Sequence, residues 1–580
     1  MFQRPSIRLA PLLVAFALAL GLVPSFAQQP PAPAAKPPRS FITQFLVPGS
    51  HFHGVHGIAF NQDDQLFAGS VVGQAIYRVN VDSGDVDVAI DAPHGMADDI
   101  AFAPDGTMAW TAFLSGTIYV RKANEAPRAI ATGLPGINSL AFRFERDKDG
   151  KPVKDKEPRL YASQVFLGDA LWEIDLKADK PVDYADPASK KQPILKDLGG
   201  LNGFEFGRDG QLYGPLWFKG QVVRIDVDKA AAPTVVADGF VVPAAVNFDS
   251  KSNLYVVDTA LGQIVQVNVA SGAKTLVATL KPGLDNLAID NRDRLFVTSM
   301  VDNGIYLVDK DTGSARVVVE GRLAIPSDIA IVRDDESETL HLADVFAYRT
   351  IESRSGAVDT VLRMHGDVLE YPFGISVNAR HVLLTSWFTG SVQRLDRKTG
   401  RGLGILHGFK APMDAIETAK GELLVLELGT ASLLRVSRVD GKDRTVVAKD
   451  LGAPTALVEG PDGAVFVAET AAGIVSRIDP ATGERKVVAD GLKRPEGIDI
   501  GPDGRLYVAE VGERRVIAID PATGEKSVVA GNLAIGLHDN PALPGVPPSY
   551  VTTGVAVGKS GTVYVTSDRR NAIYKLIPVN

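Results

Sequence analysis

Three histidines, His51, His53 and His56, fall within six positions of the stretch GSHFHGVHGIAF at 49–60, a third of the nine in the chain. Imidazole binds borderline divalent metals and carries protons near neutral pH, so such a cluster points to metal-assisted or acid–base chemistry. Asp98, Asn138, Asn202 and Asp285 share a context with His56: each stands at the head of a short apolar run. The chain has no cysteine. A thiolate metal site and a Cys nucleophile are therefore excluded, and any metal must be held by imidazole, carboxylate, amide or carbonyl, which suits Ca2+, Mg2+ or Zn2+. No G-x-S-x-G elbow, phosphate-binding P-loop or H-E-x-x-H helix occurs.

Residues so far apart can act together only if the fold gathers them, and the sequence supplies a repeat that does. Two clear copies are PEGIDIGPDGRLYVAEVGERRVIAIDPATGEKSVVAG and PTALVEGPDGAVFVAETAAGIVSRIDPATGERKVVADG. D-G and T-G mark tight turns between runs rich in Val, Ile and Tyr that alternate with polar residues, as half-buried strands do. The second strand begins at Leu66, Met108, Leu160, Leu212, Leu254, Leu295, Leu340, Val382, Leu423, Val465, Leu506 and Val563, mostly 41 or 42 residues apart. Four short strands per repeat of this length describe a propeller blade. Twelve units exceed a usual ring, so the expected fold is all-β: two consecutive six-bladed β-propellers, 41–312 and 313–580. The last unit lacks a fourth strand, and an orphan strand, FITQFLV, precedes the first. The expectation is that 41–47 closes the sixth blade against 305–308, and that 315–320 closes the twelfth in the same way; pairing of 41–47 with 573–577 would instead mean one large ring.

In a propeller the innermost strand of each blade lines the central channel. Aligning the units on the D-G turn places His56, Asp98, Asn138, Asn202, Ala244 and Asp285 at the mouth of ring one, and Ser327, Phe373, Met413, Thr455, Glu496 and Thr553 at that of ring two. His51 and His53 lie on the loop above His56, and His94 on the equivalent loop of the next blade. Oxygen and nitrogen donors converging from separate strands suit one divalent cation with a position left open. The alternative is a polar mouth that holds ordered water. Phe113, Phe166, Trp217 and Phe218 on the rim would wall a small organic ligand. In ring two, Asp344, Glu427, Glu469, Glu496 and Glu510 form a secondary acidic cluster on one face, to be relieved by Ca2+ or Mg2+ or by Arg435, Arg477, Arg514 or Arg515.

Arg4 and Arg8, an apolar run from 9 to 23 and Ser25-Phe26-Ala27 read as a secretory signal peptide cut after Ala27, followed by a Pro/Ala linker over 28–40. The expected location is periplasmic or secreted, without a membrane span. A net charge of −8 and the lack of a basic stripe argue against nucleic acid as a partner.

The repeat resembles the six-bladed superfamily of senescence-marker-protein/gluconolactonase, strictosidine synthase-like and NHL-repeat proteins, through GLNGFEFGRDGQLYG, PEGIDIGPDGRLYVAE and RIDPATGE. The resemblance implies one axial divalent metal held by Glu, Asn and Asp, with a further Asn on substrate. By blade order Asn202 is similar to the metal Asn and Asn138 to the substrate Asn, while His56 and Ala244 replace the Glu and the Asp. The expected enzyme is a lactonase-like, metal-dependent hydrolase of a small lactone or ester. Its metal ligands come from His56, Asp98, Asn202 and Asp285, and whichever of His56 and Asp98 stays off the metal is the general base. Asn138, His94, Phe113, Phe166, Trp217 and Phe218 contact substrate. The rival is a non-catalytic propeller scaffold that binds a ligand or a protein partner. FVAETAAGIVSRIDPATGE also resembles virginiamycin B lyase, but Glu427, Glu469 and Glu510 are followed two residues later by Gly429, Ala471 and Gly512, where that chemistry needs a His.

Overall fold

Each repeat folds on itself because its turns are short and its strands alternate. Pro495–Ile500, Leu506–Glu510, Arg515–Ile519 and Lys526–Ala530 form one antiparallel blade. Gly504 turns the first pair with φ +78°, a region an L side chain avoids. The second strand is buried along its whole length, while the outer strand exposes Lys526 and Val528 and buries Val529 and Ala530, the pattern of sheets stacked face to face around an axis. The structure, a computed structural model, describes residues 40–579 apart from 146, 148–152, 154–155, 334–337, 437–440, 538–546 and 548–549. The expected signal peptide, 1–27, and all of the linker except Ser40 lie outside the described residues.

Twelve sheets form, one carrying an extra short strand, Val182–Asp183. Their inner strands close two rings of six blades. In ring one, Val55–Phe60, Ala97–Phe102, Ile137–Arg143, Glu205–Phe206, Pro243–Phe248 and Leu284–Ile289 neighbour one another in turn, and the last returns to the first. Ring two runs likewise through Asp328–Ile331, Gly374–Val377, Pro412–Glu417, Pro454–Glu459, Pro495–Ile500 and Val555–Val557.

The closures differ from the expectation. Ser40–Val47 pairs antiparallel with Ala572–Val579, Ile42 opposite Ile577 and Phe45 opposite Tyr574, so it completes the twelfth blade; this pairing does not make one large ring, because the inner strands close two rings of six. Ala315–Val319 stays in the sixth blade, on Gly304–Val308. Ring one thus occupies 55–319, and strand 40–47 belongs to ring two. The reason is local. The T-G turn at 312–313 folds Ala315–Val319 back on the strand it has just left, the partner cheapest in loop entropy. That leaves an open edge on the twelfth blade alone, and an unpaired edge is what an orphan strand satisfies.

The rings meet face to face. One buried apolar cluster includes Val71, Phe113, Leu114 and Met300 of ring one with Phe346, Phe373, Trp387 and Tyr550 of ring two. Arg363 of ring two forks onto Asp302 of ring one at 2.9 and 2.8 Å and also reaches the Pro282 carbonyl.

Candidate functional site

The inner strands are not regular at the channel mouth, and their irregularity places the site. Pairing with the second strand slips between Val55 and Ile58, Ala97 and Ile100, Ile137 and Ser139, Pro243 and Ala245, and Leu284 and Leu287. His56, Asp98, Asn138, Ala244 and Asp285 are therefore bulge residues. A bulge frees one residue from the ladder and re-aims its side chain, here toward the axis. Small residues let the strands come close enough: a Cβ on Gly57 would sit 2.3 Å from the Asp98 carbonyl oxygen.

Three of the expected metal ligands meet. His56 Nδ1 lies 2.9 Å from Asp285 Oδ2 and 3.5 Å from Asp98 Oδ1. Among the described residues, His56, Asp98 and Asp285 are the one group of His, Asp and Glu whose donor atoms all lie within 4.8 Å of one another. Each of these side chains is about one-seventh exposed (13%, 13% and 14%). Burial opposes a charged His56, but the hydrogen bond and charge of Asp285, with the charge of Asp98, hold it above its usual 6.5. Burial and the charge of Asp285, against the pull of His56, raise Asp98 to about 7.

The amides stand behind this trio. Asn138 Nδ2 donates to Asp98 Oδ2 at 2.7 Å, and its Oδ1 accepts from Ser139 Oγ at 2.8 Å, so Asn138 fixes Asp98 where substrate contact was expected of it. Asn202 lines the same cavity, but its Oδ1 accepts from Gly203 N–H at 2.9 Å and Ser139 Oγ at 3.1 Å, which holds that oxygen in the wall. Phe113, Phe166 and Trp217 line the cavity as expected of rim aromatics. Phe218 packs edge-on against Phe166 and is 60% exposed, outside the lining. His94 is not brought in: it is exposed, its ring edge-on to Tyr119. His51 is exposed and His53 buried, neither in the lining.

Ring two supplies the other half of the chamber. Val345, Phe346, His365, Tyr371, Phe373, Trp387, Phe388 and Tyr550 face the floor of ring one across a cavity of about 90 Å3. Phe346 stands edge-on to His56 at 5.5 Å, and Trp217 edge-on to His365 at 5.3 Å. Burial lowers His365 to about 4, and its Nε2 is buried without a partner among the described residues. Five lining residues other than glycine hold positive φ: Phe166 at 67°, Val345 at 38°, His365 at 65°, Tyr371 at 37° and Tyr550 at 62°. Strain of this kind gathers where a precise wall matters. Sequence reasoning missed this roof. One signal was present: the Trp-Phe pair at 217–218, directly after a second strand, recurs at 387–388 in the same blade position.

The expected acidic cluster of ring two does not form. Each carboxylate is engaged in its own blade or with the next, which removes the repulsion a shared cation would relieve. Asp344 accepts from Ala324 and Ile325 N–H and pairs with Arg349. Glu427 accepts from Lys410 N–H and Thr430. Glu469 pairs with Arg485, Glu510 with Arg515, and Glu496 accepts from Thr553 N–H.

The channel of ring two instead carries Asp328, Asp414 and Asp499 in alternate blades, Asp414 buried and the other two half-buried. Each accepts the N–H that follows it and one from the next blade, Ile375 at 3.0 Å, Leu457 at 2.9 Å and Val557 at 2.7 Å. Burial raises Asp328 to about 7, with Asp499 adding to the rise and the Ile375 and Ile329 bonds opposing it. Burial also raises Asp414, well above the ordinary range, and Asp499. A folded pKa above the unfolded one means the native state holds more protons between about pH 4 and 7, so stability is greatest in acid and falls as pH rises through that window. Denaturant unfolding at pH 5 and pH 8 is expected to show a loss on the order of 1–3 kcal/mol at the higher pH, and Asp414→Asn to flatten the slope. A stability that rises over this range would show these carboxylates to be ionised in the fold.

No family model matches the chain, and no curated protein is similar to it. Among solved structures it is similar to virginiamycin B lyase from Staphylococcus aureus, at 14% identity and TM-score 0.28, over 58% of this chain and 95% of that one. It is also similar to the extracellular domain of a B. thetaiotaomicron protein described as a one component system, at 10% identity and TM-score 0.31, over 93% and 82%. The propeller assignment stands on the twelve sheets and their ring closure.

Proposed function

We propose that the chamber between the rings is the active site of an exported, metal-dependent hydrolase acting on a small ester or lactone, with His56, Asp98 and Asp285 as the cation ligands. The observation that carries this is the 2.9 and 3.5 Å spacing of their donor atoms on the floor of an aromatic cavity. Neighbouring ligands about 2.1 Å from a metal stand roughly 3 Å apart, so the three fit one ion, and the imidazole favours a borderline ion such as Zn2+ over Ca2+ or Mg2+. A bound cation would polarise the carbonyl and lower the pKa of water. The chain does the rest. Asn138 holds one oxygen of Asp98, which aims the other at the point the three ligands share, and the aromatic walls exclude bulk solvent. The test is metal analysis of the mature protein followed by an ester and lactone panel. The expected result is one divalent ion per chain and turnover lost on chelation and restored by the ion. A protein that takes up no stoichiometric ion at millimolar supply would remove this reading.

A second reading is favoured by the same His56–Asp285 contact, which is a complete ion pair without a metal. The chamber would then bind a small ligand without turning it over, and ligand binding by metal-free protein with no hydrolysis would mark that case.

A further inference from the structure

We propose that the chamber selects a compact, flat, largely apolar ring with its oxygens on one edge, such as a monocyclic aromatic ester or an unsubstituted small lactone, and rejects polyhydroxylated rings such as sugar lactones. The inference rests on the reading of the chamber as an active site. Polar groups occupy only part of the wall: the His56, Asp98 and Asp285 floor with its amides, and from ring two the Tyr371 and Tyr550 hydroxyls and His365, whose Nε2, like the Tyr550 hydroxyl, is buried without a partner among the described residues. The floor and these ring-two groups offer partners for the two oxygens of an ester or lactone. Elsewhere the walls are chiefly aromatic, and they are fixed against each other edge-to-face, Phe166 on Trp217 at 5.5 Å and Tyr371 on Phe388 at 5.1 Å. A flat ring can lie against such faces. A hydroxyl turned toward them loses water and gains no acceptor, which weakens binding by about tenfold for each one. Size points the same way. The chamber holds about 90 Å3, less than the about 150 Å3 of an apolar cavity that takes benzene, so a single ring already reaches beyond it into the opening and anything larger than one ring is shut out. Phe166 lines the chamber and is also 36% exposed beside Phe218, which makes an apolar doorway for a substituent.

Two of the four tryptophans, Trp217 and Trp387, line the chamber, so intrinsic fluorescence reports occupancy. Acetophenone, a flat ketone that cannot be hydrolysed, is expected to quench it saturably, and Trp217→Leu to weaken that binding by about tenfold. Wild-type protein with its cation is expected to turn over methyl benzoate or δ-valerolactone at least about tenfold faster than glucono-1,5-lactone. Acetophenone binding without hydrolysis of any ester removes the hydrolase reading and keeps the ligand class. Glucono-1,5-lactone turned over as well as the apolar substrates overturns this inference and keeps the hydrolase. Saturable quenching by neither ketone nor lactone overturns the inference outright.

Discussion

Asp285→Asn is expected to lower turnover by about a thousandfold and to abolish stoichiometric cation binding, with the fold retained. The substitution keeps the size of the side chain and an oxygen that can still accept from His56 Nδ1, now 2.9 Å from the carboxylate. What it removes is the charge, and charge is what the floor uses. Asp285 stabilises the imidazolium of His56 and adds to the crowding that raises Asp98; with a cation in place, the same charge would be directed at the ion. Removing one preorganised electrostatic partner in a water-poor site costs about 100- to 1000-fold, and loss of the metal carries the effect to the upper end. A His56→Ala/Asp98→Ala double variant should be scarcely worse than Asp285→Asn, because groups that act as a unit are not additive. The control lies in ring two. Glu469→Gln breaks the ion pair of a fully buried carboxylate with Arg485 and should lower stability while leaving the rate per folded molecule unchanged. Turnover by Asp285→Asn within tenfold of wild type would place the chemistry elsewhere.

The blade was legible because its information is local: a D-G turn at Gly504, a buried second strand, and a period that repeats. The floor of the chamber was legible for the same reason. Once Leu66, Met108 and Leu295 are aligned, His56, Asp98 and Asp285 fall at one level, and the bulges of the inner strands turn that level into a meeting point. The parts that escaped depend on contacts between distant segments. His365 and Tyr371 belong to the site only because ring two is laid over ring one, and no spacing in the sequence encodes that placement. The acidic residues of ring two were misread for a related reason. Arg515, one of the expected partners, does reach Glu510, but a period that places Asp344 and Glu469 on one face does not show that Arg349 and Arg485 reach them from other strands of the same blades.

Deleting 40–47 from the chain is expected to open ring two and spare ring one. In ring two the strand covers the open edge of Ala572–Val579, and it buries Val47 fully and Leu46 almost so, while Phe45 stacks on Tyr574 at 4.6 Å. The two aliphatic side chains alone contribute about 3–6 kcal/mol, a large share of the stability of any domain. Ring one has its own fourth strand in every blade and closes through its inner strands, so it keeps its hydrogen bonds. Hydrogen exchange of the truncated protein should rise first in Ala572–Val579 and Val563–Ser567, with Val55–Phe60 and Leu284–Ile289 still protected, and a peptide of 40–47 added in excess should restore protection. Faster exchange confined to Gly304–Val308 would mean that the strand closes the sixth blade after all. The consequence for the site follows from the cover that ring two provides. Tyr550, Trp387 and Phe346 are held over His56 by an intact second ring, so opening the twelfth blade should weaken acetophenone binding even though no residue of 40–47 touches the chamber.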